Sequence, residues 1–171
     1  MENHSFQFRK HPRLKEYDYS QNGYYHITIC TQGNKPILSN IVGRGLAPAE
    51  ADLTAAGKIA EEQLLDIPNR YPSMTIDKYV IMPTHIHAIV IIENESAGAS
   101  PRPTVMDAVR VFKSITTRLY NQNDNAQGRK IWQTSFYDEV IRNEQAYRQI
   151  WKYIDENPLK WHEDKYYCQR P

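Results

Sequence analysis

Cysteine is nearly absent from this chain. Cys30 and Cys168 are the only two in 171 residues, which excludes a disulfide framework; nothing resembles a cysteine-based zinc site, and a reducing cytoplasm is the expected compartment. Long apolar runs are missing as well. The longest, around Ala88 to Ile92, falls far short of the roughly 18 residues a membrane span requires, so no membrane partner is expected. The first twenty residues, MENHSFQFRKHPRLKEYDYS, hold no apolar h-region, which predicts a chain without a signal peptide. An excess of one charge is also lacking: a net charge of +1 argues against a simple polycation.

What is present suffices for one core. The length suits a single domain over residues 1–171, and a hydrophobic content of 40% with 11% aromatics excludes wholesale disorder. The charge is unevenly spread. Residues 46–100 carry three Lys/Arg against eight Asp/Glu, whereas residues 1–45 carry six against three and residues 101–171 twelve against nine. Folding can gather the two basic flanks on one side of the molecule, although ordinary solvated charge accounts for the same counts.

Residues 1–20 read as a basic N-terminal arm. Tyr24 to Thr31 (YYHITICT) reads as a strand with Tyr25, Ile27 and Ile29 on one face and Tyr24, His26, Thr28 and Cys30 on the other. QGNKP is a turn, ILSNIV is the candidate hairpin partner of that strand, and GRGLAPAEAD is read as loop. Asp52 or Thr54 can cap a helix running to about Leu65, and Pro68 and Pro72 bracket a break. Thr75 to Ile81 and His85 to Ile92 are further strands, followed by a flexible loop over 93–104. From Thr104 to about Asn121 the residues Val105, Ala108, Val109, Phe112, Ile115 and Leu119 recur on one helical face. A short strand is expected within Trp132 to Ile141. The last helix runs from Glu144 to Glu156, with Tyr147, Ile150, Trp151 and Ile154 as its core stripe, and Asn157-Pro158 stops it. This order predicts an α+β fold with an antiparallel central sheet. The strand His85 to Ile92 is apolar on both faces beyond its histidines, so cover on both sides is expected.

The most informative residues are His85 and His87, in MPTHIHAIVII. On a strand, positions i and i+2 share a face about 7 Å apart, so both imidazoles can reach one metal ion or phosphate. Each buried ring needs partners for two nitrogens, so a buried pair without a purpose is unexpected. One satisfied core histidine beside an exposed neighbour is the alternative at this point. In the last helix, Tyr153 and Asn157 lie four residues apart and therefore one above the other. Tyr153 can present its hydroxyl to a cleft, and Asn157 can offer an amide oxygen to a hard cation. A boundary tyrosine with a helix-capping asparagine would look the same.

Taken in order, the segments YYHITICT, KYVIMPTHIHAIVII, FKSITTRLY, IWQTSFYDEVIRNEQAY and WKYIDENPLKW, spread over about residues 17–162, resemble the single-tyrosine HUH transposases, and within them the branch called REP-associated tyrosine transposases. The resemblance implies a ferredoxin-like antiparallel sheet with helices on both faces. It implies that His85 and His87, with Ile86 between them, are metal ligands, that Asn157 is the third ligand, and that Tyr153 is the nucleophile. The implied reaction is attack of a tyrosine oxygen on a phosphodiester of single-stranded DNA near a hairpin, giving a 5′-phosphotyrosine link and a free 3′-OH. Because phenol has a pKa near 10, it must lose its proton as it attacks. Two imidazoles and an amide oxygen suit Mg²⁺ or Mn²⁺, whose task would be to polarise the phosphate and neutralise developing charge. The resemblance leaves monomer and homodimer both open, and it implies a cytoplasmic protein that joins the nucleoid when bound to DNA.

Single-strand binding needs basic and aromatic groups. Lys113 and Arg118 on the long helix, and Arg142, Arg148, Lys152 and Lys160 around the tyrosine helix, are the candidates. Trp132 and Phe136 fit the core better than base stacking, and His26 can line the site or serve the fold. Histidine-triad nucleotide hydrolases share the His-x-His pattern, but their third histidine is Ile89 here. A non-catalytic hairpin-binding descendant of a transposase is the rival of a different class. It would have no need of His85, His87, Tyr153 and Asn157.

Overall fold

The β-branched and aromatic residues of YYHITIC form strand β1 (Gly23–Cys30) in the computed structural model, which describes residues 17–43, 49–94 and 102–167. With β4 (Met74–Ile81), β5 (His85–Ile92) and β6 (Tyr137–Ile141) it builds a four-stranded sheet in the order β4-β5-β1-β6, every neighbouring pair antiparallel. Helix α1 (Ala55–Leu65), followed by the single turn α2 (Ile67–Arg70), precedes β4; α3 (Val105–Asn123) precedes β6; and α4 (Glu144–Glu156) closes the order. Two interleaved strand-helix-strand units in this strand order are the ferredoxin-like arrangement.

One expected pairing is different. Ser39–Val42 (β2) does not return on β1 but pairs with Glu50–Leu53 (β3) in a separate two-stranded sheet. A strand has two hydrogen-bonding edges, and those of β1 are filled by β5 and β6. The end of GRGLAPAEAD is therefore strand rather than loop, with residues 44–48 outside the described residues. Of the two candidate caps, Thr54 serves: its hydroxyl accepts from Gly57 N–H at 3.1 Å and donates to the carbonyl of Ile37 at 2.6 Å. At α3, Thr104 and Asp107 form a reciprocal capping box.

The alternation of β1 and β5 divides the molecule. Tyr25, Ile27 and Ile29 of β1 and Ile86, Ala88, Val90 and Ile92 of β5 pack with Ala60 and Leu64 of α1 and Val105, Val109 and Phe112 of α3. On the opposite face Ile89 meets Ile141 and, from α4, Ile150 and Ile154. Each such aliphatic side chain contributes about 1.5–3 kcal/mol on burial. The sheet thus has the expected cover on both sides. The core stripe of α4 is narrower than its periodicity suggests. Trp151 is 38% exposed, since it follows Ile150 by about 100° around the helix. Lys78 lies 3.9 Å over its ring and also pairs with Asp155 at 2.5 Å. A β-bulge between Ile76 and Lys78 shifts the register of β4 beside α4. There Asp77 accepts the hydroxyl of Tyr147 at 2.7 Å.

Most of the basic arm, residues 1–16, and positions 95–101 of the flexible loop lie outside the described residues. The last part of the arm belongs to the core. Tyr19 is buried, and the rings of Tyr17 and Tyr19 lie 6.5 and 6.1 Å from that of Tyr25.

Gly57 lies where α1 crosses the chain at Leu38, and a Cβ there would collide with the Leu38 carbonyl oxygen. That oxygen already receives the Thr54 N–H at 3.0 Å and the Thr54 hydroxyl at 2.9 Å. Gly57→Ala is therefore expected to cost about 1–3 kcal/mol, read as a lower midpoint of urea unfolding. An unchanged midpoint would show that the junction yields freely.

Candidate active site

The two histidines of β5 share the face that α4 covers, with ring centroids 4.6 Å apart and both side chains buried. The antiparallel register sets Thr28 of β1 opposite His87 and Cys30 opposite His85. Nδ1 of His87 consequently lies 2.9 Å from the Thr28 hydroxyl and 3.2 Å from Nε2 of His26. The other nitrogen of His87, Nε2, lies 3.2 Å from the hydroxyl of Tyr153. With Tyr153 donating to Nε2, the ring carries its proton on Nδ1, directed at Thr28 and His26. Strand and helix residues 66 positions apart are thereby joined through one imidazole.

Asn157, the C-cap of α4, is buried beside them. Its amide nitrogen stands 3.5 Å from Oδ2 of Asp164, while its Oδ1 has no hydrogen-bond partner among the described residues. Asp164 arrives after Pro158 and a single 3-10 turn, Trp161–Glu163. Its Oδ1 accepts the backbone N–H of Tyr166 at 2.7 Å, and the carbonyl of Tyr166 accepts the hydroxyl of Thr84 at 3.1 Å. His85 lies between the rings of Trp161 and Tyr166, at 6.2 and 4.7 Å. Its Nδ1 contacts the Thr84 hydroxyl at 3.1 Å, and its Nε2 has no partner among the described residues. One ligand atom from each of His85, His87 and Asp164 lies within 4.8 Å of the others. Three such atoms at this spacing could hold a divalent cation.

Burial governs the electrostatics. It lowers the pKa of His26 to about 4 and that of His85 to about 3, with the charge of Lys165 adding to both. His87 is likewise held well below the usual range, first by burial and then by its two histidine neighbours. The three imidazoles are therefore neutral near pH 7, the form with a lone pair for a metal. The phenol of Tyr153 is pushed up to about 12 by burial and by the nearby Asp164, against a hydrogen bond from Asn157. Burial also raises the carboxyl of Asp164 and lowers the ammonium of Lys165.

The structure thus brings together His85, His87, Tyr153 and Asn157, and adds His26 to them. The basic candidates are more scattered. Lys113 donates to the carbonyls of Gln133 and Ser135, both at 2.8 Å, and so braces the loop before β6. Arg118 is exposed on α3, the helix packed on the other face of the sheet. Arg142 is exposed between β6 and α4, and Arg148 pairs with Glu144. Lys152 and Lys160 are exposed and flank Glu156 at 3.5 and 2.7 Å. Trp132 and Phe136 are buried in the core, where the Trp132 indole donates to Thr116 at 2.8 Å. The sequence reading missed Asp164, Thr28, Thr84 and Lys165. Asp164 lies beyond a proline-stopped helix, so no local periodicity marks it.

Residues 19–157 match the family model described as transposase IS200 like. A protein of Haemophilus influenzae described only as uncharacterized is 30% identical over 174 residues, covering 93% of each chain. Among solved structures, a REP-associated tyrosine transposase bound to a REP hairpin has a similar fold, with a TM-score of 0.54 at 20% identity. That match covers 86% of this chain and 74% of the other.

Three buried imidazoles with lowered pKa values link folding to pH. The unfolded chain binds protons below about 6.5, whereas folded His26 takes one only near 4. Stability is therefore full above pH 6.5 and falls as the pH is lowered through the window from about 6.5 to about 4. His26 alone contributes a loss of about 3 kcal/mol across it. Urea midpoints measured between pH 7 and 4 check this, and a flat profile would mean the imidazoles are solvated.

Proposed function

The chain belongs to the IS200-like transposase family, and on that footing we propose that it nicks and rejoins single-stranded DNA beside hairpins through Tyr153. The observation that carries this reading is the 3.2 Å contact between the Tyr153 hydroxyl and Nε2 of His87. It sets the Tyr153 hydroxyl of α4 against the histidine pair of β5. The hairpin is the substrate favoured by the complex of the REP-associated neighbour.

In the proposed step, Tyr153 Oη forms a bond to phosphorus and the bond from phosphorus to the 3′ oxygen breaks. The phenol proton leaves, and the 3′ oxygen takes up a proton to become the free 3′-OH. The phosphotyrosine keeps the energy of the broken ester for rejoining. His85, His87 and Asn157 are the proposed holders of Mg²⁺ or Mn²⁺, and the partnerless Nε2 of His85 and Oδ1 of Asn157 fit such an ion. When bound, the ion neutralises charge on the transferring phosphate and polarises it for attack. Thr28 and His26 keep the His87 ring fixed, with Nε2 towards the site. Asn157 donates a hydrogen bond that favours the phenolate of Tyr153, opposing the burial that disfavours it. Arg142, Arg148, Lys152 and Lys160 are proposed to follow the DNA backbone next to the tyrosine helix, with Arg118 and Lys113 as more distant contacts. The chain is proposed to act as a single domain built on the four-stranded sheet.

A denaturing gel of the protein with labelled, hairpin-bearing single-stranded DNA and Mn²⁺ tests the chemistry. A covalent adduct that EDTA removes is expected. Tyr153→Phe should abolish it while DNA binding changes less than about threefold, because only one hydroxyl is lost; surviving cleavage would overturn the nucleophile assignment. His87→Ala should lose adduct and Mn²⁺ dependence together, and an unaltered metal titration would remove it from the ligand set. Hairpin binding without any adduct from the native chain would instead support the non-catalytic descendant.

A further inference from the structure

We infer that Asp164 is a direct ligand of the same divalent cation, so that the segment after α4 is part of the active site. The inference rests on the proposed metal-binding role of the histidine pair and adds a charged ligand outside the Tyr153–Asn157 pair. Donor atoms of His85, His87 and Asp164 lie within 4.8 Å of one another. Two ligands of one ion at about 2.0–2.3 Å stand at most about 4.5 Å apart, so the three donor atoms draw together when an ion enters. A second, independent observation points to the same place: the fully buried His85 has its Nδ1 on Thr84 and no partner for Nε2 among the described residues.

The position of Asp164 is built rather than incidental. Its segment is held beside β5 by Thr84, which donates to the carbonyl of Tyr166 at 3.1 Å, and by the tilted ring contacts of Trp161 and Tyr166 with His85. One carboxylate oxygen is taken by the N–H of Tyr166 at 2.7 Å; the other is approached only at 3.5 Å, by the amide of Asn157. That amide contact turns the Asn157 nitrogen towards the carboxylate and leaves its oxygen without a partner among the described residues. Asp164 thus orients the neighbouring amide as well as bringing a formal negative charge to a site whose other donors are neutral. Added ligand charge raises the affinity for a hard divalent ion. It also ties the segment 161–167 to the sheet whenever the ion is held.

Titration of the full chain with Mn²⁺ alone, followed by calorimetry and by the electron paramagnetic resonance of free Mn²⁺, tests the assignment without DNA or turnover. Asp164→Asn keeps the shape and the oxygen that receives the Tyr166 N–H, so the fold is retained, which circular dichroism checks. It should weaken Mn²⁺ binding by at least about tenfold, whereas the exposed neighbour Glu163→Gln should stay within about twofold. Hydrogen exchange over residues 161–167 should slow on adding Mn²⁺ to the native chain and not to Asp164→Asn. Native affinity in Asp164→Asn, with His87→Ala impaired, would overturn this inference and leave the histidine site standing. Native affinity in both variants would overturn the metal reading and this inference together.

Discussion

A pair of imidazoles buried at the centre of a sheet needs partners for four ring nitrogens, and the organisation of this molecule follows from that requirement. An unsatisfied buried polar group costs about 1–3 kcal/mol. His87 meets the need through three different elements: its own strand carries it, β1 offers Thr28 and His26, and α4 offers Tyr153. His85 draws on Thr84 for Nδ1 and lies against the rings of the C-terminal segment, while its Nε2 has no partner among the described residues. The same contacts that make the histidines tolerable in the interior bring the hydroxyl, amide and carboxylate together. Stability and site are built from one network.

The sheet separates two tasks. On one face α1 and α3 cover an extensive apolar cluster that includes Tyr25 and Phe112. The other face holds only a small apolar cluster beneath α4, and the rest of it is polar and occupied by the site. With so little apolar surface of its own, α4 is fastened at its rim by polar links: Tyr147 to Asp77 across the bulge of β4, and Lys78 to Asp155 under the ring of Trp151. Exposed pairs of this kind contribute little individually. Their value here is geometric, because the distance from Tyr153 to His87 depends on where α4 sits.

The third position of the His-x-His pattern separates the chain from histidine-triad hydrolases in physical terms. Ile89 points to the same face as the two histidines but lies in the apolar cluster with Ile150 and Ile154. The side chains that meet the histidines on this face come from α4 and from the segment that follows it.

Much of this was legible in the residues because it depends on local periodicity. Alternation alone assigns Tyr25, Ile27 and Ile29, and Ile86, Ala88, Val90 and Ile92, to the large core, and so leaves His26, His85 and His87 on the opposite face. Spacing of four on a helix aligns Tyr153 with Asn157, and Asn157-Pro158 marks the end of α4. Other features are decided by non-local competition. The partner of β2 depended on whether an edge of β1 was vacant, and both were filled by strands distant in sequence. Trp151 turns away from the core at the rim of α4, where Lys78 of β4 lies over its ring. Lys113 reads from its charge as a DNA-binding candidate, whereas in the fold its ammonium donates to the chain preceding β6. Asp164 enters the site through a turn that has no repeating pattern. Periodicity reports which way a side chain points from its own element, whereas only the closed fold decides what it meets there.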